Sequence, residues 1–117
     1  MSPVSAAFAA EGRLAPILAL GASTAGGPSV AAVKASGRDV TVATFDMSPS
    51  FLQSIVDGDA AFAIDQQQFL QGYLSVNFLG LHAKYGLMPG GNVPSGPNLI
   101  TADKAAQVVE LSAKGIR

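Results

Sequence analysis

The sequence contains no cysteine. That removes disulfides, thiolate zinc sites and cysteine nucleophiles at a stroke, and leaves the redox compartment open. Charge is scarce too: Asp, Glu, Lys and Arg make up 13% of the residues, about half the usual share of roughly 25%. A chain with so little charge is expected to bury more surface than a free-standing domain of its size, by association or against a further segment. Seven basic residues against eight acidic ones give a net charge of −1, with no basic run. Nucleic acids and anionic membranes are bound by Lys/Arg stripes that displace counterions, so neither is an expected partner. No apolar run approaches the roughly 18–20 residues that span a bilayer. The opening Met1-Ser2-Pro3-Val4-Ser5-Ala6-Ala7-Phe8 has neither the basic region nor the long apolar region of an export signal, so no signal peptide is expected in this chain. His82 is the single histidine; it has no second imidazole with which to hold a metal, and nothing places Ser23, Ser48 or Ser54 beside it as a nucleophile. No enzyme activity, metal or cofactor is expected.

What remains is apolar and well punctuated. At 117 residues, 49% of them hydrophobic, the chain is one domain at most or a piece of a larger one. An Ala-rich stretch over residues 3–11 reads as the end of a helix closed by Gly12. Ile17-Leu18-Ala19-Leu20-Gly21 is a short continuous apolar run, the pattern of a strand buried on both faces. A turn is predicted over Gly21-Ala22-Ser23-Thr24-Ala25-Gly26-Gly27-Pro28, then a helix over 29–36 ended by Gly37. The unit recurs. Residues 40–45 are β-branched and strand-like, with Asp46 at their end, and Ser48-Pro49 supplies an N-cap and a proline at the first helical position. A helix follows to about 57, then a third strand over 61–64 ending in Asp65-Gln66.

The longest helix is predicted over about 67–85, where Leu70, Tyr73, Leu74, Phe78, Leu81 and Tyr85 recur at three- and four-residue spacing. A Gly/Pro-rich loop fills 86–97. Asn98 to Thr101 reads as a short strand, and Thr101 or Asp103 caps a last helix to about Lys114. Strands alternating with helices imply parallel pairing and right-handed crossovers, which is the α/β class built of parallel-sheet βαβ units with flanking helices.

Few side chains carry chemistry. The Gly-rich turn after the first strand has neither the Gly-Lys-Ser/Thr ending of a phosphate loop nor the spacing of a dinucleotide loop, so it reads as a tight strand-to-helix turn. Asp46 and the Asp65-Gln66 pair stand where buried strands end, and open parallel sheets bind ligands beyond those ends. A carboxylate there accepts from two neighbouring hydroxyls, and a carboxamide both donates and accepts. The alternative for Asp46 is capping the helix at Ser48; for Asp65, capping the long helix is preferred. His82 reads as a surface or partly packed imidazole. Glu110 and Lys114 are spaced for an exposed pair. Tyr73 and Phe78 are read as core rather than a stacking platform, while Phe69 falls off the apolar stripe and stays open between the two.

A family resemblance rests on an ordered set of motifs: Thr44-Phe45-Asp46-Met47-Ser48-Pro49, then Gly58-Asp59-Ala60-Ala61-Phe62-Ala63-Ile64-Asp65-Gln66-Gln67, Leu70-Gln71-Gly72-Tyr73, Tyr85-Gly86-Leu87, Ser95 to Thr101 and Lys114-Gly115-Ile116-Arg117. From about Leu14 onward the chain resembles the C-terminal part of the type I periplasmic sugar-binding proteins of ABC importers, the ribose-binding group. The resemblance implies a partial lobe of that fold, with residues 1–65 in the C-terminal lobe and 66–117 forming a hinge-crossing helix, loop and C-terminal segment.

It also implies a small sugar ligand, an ABC permease as partner and a periplasmic location for the full-length parent. Sugar-binding roles fall on Asp46 and on Gln66. A third ligand, often asparagine, would fall at about Gly21, which has no side chain to offer; Ser23 or Thr24 is the substitute. The alternative reading is the effector-binding core of a LacI-type regulator, which shares the fold, and a further one is a stand-alone interaction domain. With the rest of the fold missing, a homodimer of this chain is expected. The edge strand at 17–21 and the face formed by Leu70, Tyr73, Leu74, Phe78 and Leu81 would need a second copy for cover.

Overall fold

The apolar runs and their glycine and proline boundaries become ten short elements in the computed structural model, which describes residues 3–10 and 15–117. Gly12, the predicted helix stop, lies outside the described residues. Helix α1 is Pro3–Ala10 and strand β1 is Ile17–Ala19. Helix α2 (Gly27–Ser36) ends at Gly37, which adopts the left-handed conformation at φ 64°. Strand β2 (Val42–Phe45) leads to helix α3 (Pro49–Val56), whose N-cap Ser48 accepts from the Phe51 N–H at 3.2 Å. Strand β3 (Phe62–Asp65) precedes the long helix α4 (Gln68–Tyr85), and strand β4 (Asn98–Ile100) leads into helix α5 (Ala102–Ala113).

The four strands form one sheet in the order β1-β2-β3-β4. The three predicted strands are parallel and in sequence, with Ala19 opposite Thr44 and Phe45 opposite Ile64. β4 departs from the predicted parallel pairing: it runs antiparallel to β3, Asp65 facing Asn98. The reason lies in the connection. α4 does not cross back over the sheet. It carries the chain away beyond the ends of the strands, so the returning segment enters from that end and runs the opposite way.

The predicted turn at 21–28 is helical instead. Residues Ala22–Gly26 form a π-helical turn that runs into α2, the Gly21 carbonyl accepting from both Ala25 (3.0 Å) and Gly26 (2.8 Å). Gly26 is required by packing, because a Cβ there would lie 2.8 Å from the Phe51 ring and 3.2 Å from Thr44 Oγ1.

Side chains alternate across a strand, and the alternation divides the sheet into two unlike faces. On one, Val42, Ala63 and Ile100 meet Val30 of α2, Phe51, Leu52 and Ile55 of α3, and Ala105 and Val108 of α5 in a single buried cluster. On the other lie Leu18 and Leu99, each 50% exposed, with Phe45, Phe62 and Ile64 half-buried. α4 stands apart from both: none of its residues is buried. Tyr73, expected in the core, is 57% exposed, and Phe69, left open between core and stacking platform, is 53% exposed, because α4 packs on neither face of the sheet. Glu110 and Lys114, spaced for a pair, form no ion pair with each other. The molecule measures 60 × 27 × 21 Å with a radius of gyration of 17.8 Å, against about 13 Å for a compact chain of 100 residues.

Candidate functional site: a carboxylate and two carboxamides at the sheet edge

β2 ends in a backbone turn that few residues adopt. Asp46 sits at φ 64°, left-handed space that aspartate tolerates better than most side chains. Its N–H donates to the Ile64 carbonyl at 3.0 Å, tying the turn to β3. Non-glycine residues held in this region mark sites where the surrounding structure dictates the backbone. Asp46 does not cap α3, since Ser48 fills that role.

The carboxylate of Asp46 is met from the next strand's end. Nε2 of Gln66 donates to Asp46 Oδ1 at 2.6 Å, and Nε2 of Gln68, the first residue of α4, donates to the same oxygen at 2.6 Å. No described side chain or backbone group bonds Oδ2. Among the described residues, neither carboxamide uses its second N–H or its carbonyl oxygen in a further bond. The result is a carboxylate oxygen flanked by two donor–acceptor groups, complementary to adjacent hydroxyls that each donate and accept.

Asp65, the neighbouring carboxylate, is fully buried and differently employed. Its Oδ1 accepts from the Gln67 N–H at 2.7 Å, and its Oδ2 accepts from Arg117 Nη2 at 2.7 Å and Nε at 3.1 Å. Asp65 does not cap α4 as predicted: the N-cap position is Gln67, left-handed at φ 55°, with no side-chain cap bond, and Asp65 fixes the N–H of that residue instead of an N–H of the first helical turn. With both oxygens bonded, Asp65 has none to offer a ligand.

The two crossing segments are laced together below this point. Gln71 Nε2 donates to the Gln66 carbonyl (2.7 Å) and to Ser95 Oγ (2.9 Å), Ser95 Oγ donates to the Gln66 carbonyl (3.0 Å), and Gln67 Nε2 donates to the Ser95 carbonyl. Gly96 is packed so close that a Cβ would lie 2.9 Å from the Asp65 carbonyl oxygen.

Two hollows lie beside this cluster, each lined by a chain neighbour of Asp46 and by one of its two glutamine partners, though not by Asp46 itself. One, of about 320 Å³, is lined by Phe45, Ile64, Gln66, Gln71 and Ser95–Pro97. The other, of about 290 Å³, is lined by Ser23, Met47, Ser48, Gln68, Phe69 and Arg117 among others. Of the predicted site residues, Asp46 and Gln66 are therefore joined directly, while Ser23 shares a hollow with Gln68 rather than with Gln66. Thr24 lines neither. Its Oγ1 lies 2.8 Å from where a Cβ at position 21 would be, so a hydroxyl fills the space of the side chain that Gly21 lacks.

No family model and no curated protein matches the sequence. Solved structures do. A carbohydrate transporter from Acidothermus cellulolyticus 11B, in complex with myo-inositol, superposes with a TM-score of 0.87 at 28% identity, over 97% of this chain and 40% of its own. The chain has the fold of a portion of the type I periplasmic binding proteins. The periplasmic binding protein component of the arabinose ABC transporter from Shewanella sp. ANA-3, bound to L-arabinofuranose, gives 0.76 at 16% identity over 96% and 38%. The myo-inositol binding protein of Caulobacter gives 0.75 at 24% over 89% and 36%. The chain thus spans about 40% of the length of the first of these binding proteins.

Within the periplasmic binding protein fold the observed elements are a sheet layered on one side and a helix reaching beyond it. His82 is exposed on that helix. Among the described residues no group of three or more potential metal ligands is present, and no helix is long and apolar enough to cross a membrane. Gln68 went unrecognised in the sequence. The signal was there in the run Gln66-Gln67-Gln68, but a run does not say which two of three carboxamides reach Asp46.

Proposed function

We propose that the chain supplies one wall of the ligand site of a sugar-binding component of an ABC importer, in which Asp46 and Gln66 hydrogen-bond a small cyclic polyol or monosaccharide. The observation that carries this is the 2.6 Å bond between Gln66 Nε2 and Asp46 Oδ1 beyond the ends of β2 and β3, where open sheets hold ligands. The myo-inositol in the Acidothermus transporter supports the ligand class. Ser23, in the neighbouring hollow, and Thr24, whose hydroxyl fills the place of a side chain at 21, are the secondary candidates. Binding of this kind is reversible and non-covalent, not enzymatic, and closes two lobes about a hinge at Asp65-Gln66. On this reading the full-length parent works in the periplasm and hands its ligand to a permease. Residues 1–65 belong to one lobe, and the hinge-crossing helix, loop and C-terminal segment make up 66–117.

The test is calorimetry on the full-length parent. Asp46→Ala is expected to cost about 1–3 kcal/mol or more of sugar affinity, because ligand hydroxyls lose a buried acceptor. Unchanged affinity rejects the assignment. A polypeptide of these 117 residues alone is expected to bind sugars only weakly, since half a clamp leaves its hydrogen bonds open to water.

The same 117-residue polypeptide is proposed to self-associate. β1 is an edge strand with Leu18 50% exposed, and α4 presents Tyr73, Val76, Leu79 and Leu81 without cover. A second copy covers both most simply through a two-fold contact. Sedimentation equilibrium at micromolar concentration is expected to give a dimer, and a well-folded monomer contradicts it.

A further inference from the structure

We infer that Gln68 is a third ligand-binding residue, and that the site runs from Gln66 across Asp46 into the hollow lined by Ser23 and Phe69. This rests on the reading of Asp46 and Gln66 as sugar ligands, and extends it to a residue and a hollow that the family pattern does not point to.

Three observations converge on Gln68. Its Nε2 lies 2.6 Å from Asp46 Oδ1, the same distance and the same oxygen as Gln66 Nε2, so the two carboxamides are equivalent partners of one carboxylate. Each has spent one N–H on Asp46, and its other N–H meets no partner among the described residues. Next, the two face different hollows: Gln66 lines the one with Phe45 and Ile64, while Gln68 lines the one with Ser23 and Phe69. Gln68 is the group that continues the Asp46 cluster toward Ser23. Lastly, that second hollow combines hydroxyls with an aromatic face, since Phe69 is 53% exposed and stacked on Tyr73 with ring centroids 6.2 Å apart. A sugar ring has the matching character: polar around its edge, apolar C–H on its faces.

A role confined to bracing Asp46 accounts for less. Gln68 is exposed, and a hydrogen bond to a carboxylate that water can replace stabilises little on its own. Gln66, half-buried, already bonds the same oxygen. What Gln68 adds is a donor and an acceptor on the far side of Asp46, carried by α4 while Asp46 is carried by the sheet. A ligand bonded to both therefore bridges the hinge from within this one chain.

The experiment uses the full-length parent, titrated calorimetrically with myo-inositol, D-galactose and L-arabinose, and then with monodeoxy analogues of whichever binds tightest. Gln68→Ala, with an unchanged circular dichroism spectrum, is expected to weaken binding on the order of 5- to 10-fold. One deoxy analogue is expected to lose a similar factor against wild type and nothing further against the variant, identifying the hydroxyl that Gln68 meets. If Gln68→Ala loses the same factor with every analogue, Gln68 only positions Asp46 and the inference falls. If Asp46→Ala weakens binding while Gln68→Ala does not, the inference falls and the Asp46 reading stands. If Asp46→Ala is also without effect, or if none of the three sugars binds wild type, the sugar-site reading falls and this inference with it.

Discussion

The body of the molecule and its long helix are built from similarly apolar sequence, yet they end in opposite conditions. In the body, Phe51, Leu52 and Ile55 of α3 are almost wholly withdrawn from solvent between the sheet and α5. In α4 an 18-residue helix carrying Phe69, Leu70, Tyr73, Leu74, Val76, Phe78, Leu79 and Leu81 buries none of its residues. Hydrophobicity in a sequence is a capacity to bury surface, and it is realised only where a second surface is present. The body has that surface on one side of its sheet. α4 has none, so its form rests on backbone hydrogen bonds, on the left-handed Gly86 that ends it, and on the Gln67, Gln71 and Ser95 ties at its root.

The contrast can be broken by truncating side chains on each side of it. Phe51→Ala is expected to destabilise the body by about 3–5 kcal/mol, the range for an aromatic removed from a closed core. Leu79→Ala, 67% exposed on α4, is expected to stay within about 0.5 kcal/mol in the 117-residue polypeptide kept dilute enough to be monomeric. Urea denaturation followed by circular dichroism measures both. A Leu79→Ala effect as large as that of Phe51→Ala would mean that α4 is covered after all.

The junction between the two regions comes next in size. Arg117 is the partner of buried Asp65, and Arg117→Ala leaves that carboxylate with only the Gln67 N–H. Loss of one member of a buried pair costs about 3–5 kcal/mol; Arg117 is itself 32% exposed at its side chain, which places the expected loss nearer 2–3 kcal/mol by the same rule. Earlier proteolysis at the root of α4 should accompany it, and a variant cleaved no faster than wild type would detach Asp65 from the hinge.

The smallest effect belongs to the surface tie between Lys34 and Asp59, 2.6 Å apart. The hydrogen bond and charge of Asp59 raise the Lys34 amine above its usual 10.5. A base raised on folding stabilises fully below its unfolded value and loses that contribution as pH climbs through the folded one. Lys34 is exposed, so wild type and Lys34→Met are expected to be indistinguishable in urea midpoint at neutral pH, and no difference should emerge as pH rises past 10.5. A gap at neutral pH that closes as pH climbs through the titration of the amine would give the pair a role that its exposure denies it.

Much of this architecture is legible in sequence because it depends on neighbours within a few residues. The apolar runs at 17–20, 40–45 and 61–64, the Ser48-Pro49 helix start and the Gly37 and Gly86 stops act locally, and the strands, helices and parallel order follow from them. The π-helical turn at Ala22–Gly26 was not legible, because it depends on Gly26 seating against Phe51, 25 positions away. Asp46 and Gln66 stand out as polar residues at the ends of buried strands, a position that patterning reveals. Gln68 does not stand out, since it reads as one more polar residue at a helix start.

Composition and periodicity thus determined that this chain is an α/β sheet with helices and no metal or thiol chemistry based on cysteine, since both follow from which residues are present and how they alternate. Tertiary structure alone decided that β4 runs backward, that Asp65 is held by Arg117 while Asp46 keeps an oxygen free, and that two glutamines share one carboxylate. Those outcomes depend on where α4 leaves the sheet and where the chain returns. That is a matter of geometry between residues from 20 to 52 positions apart, and no local pattern encodes it.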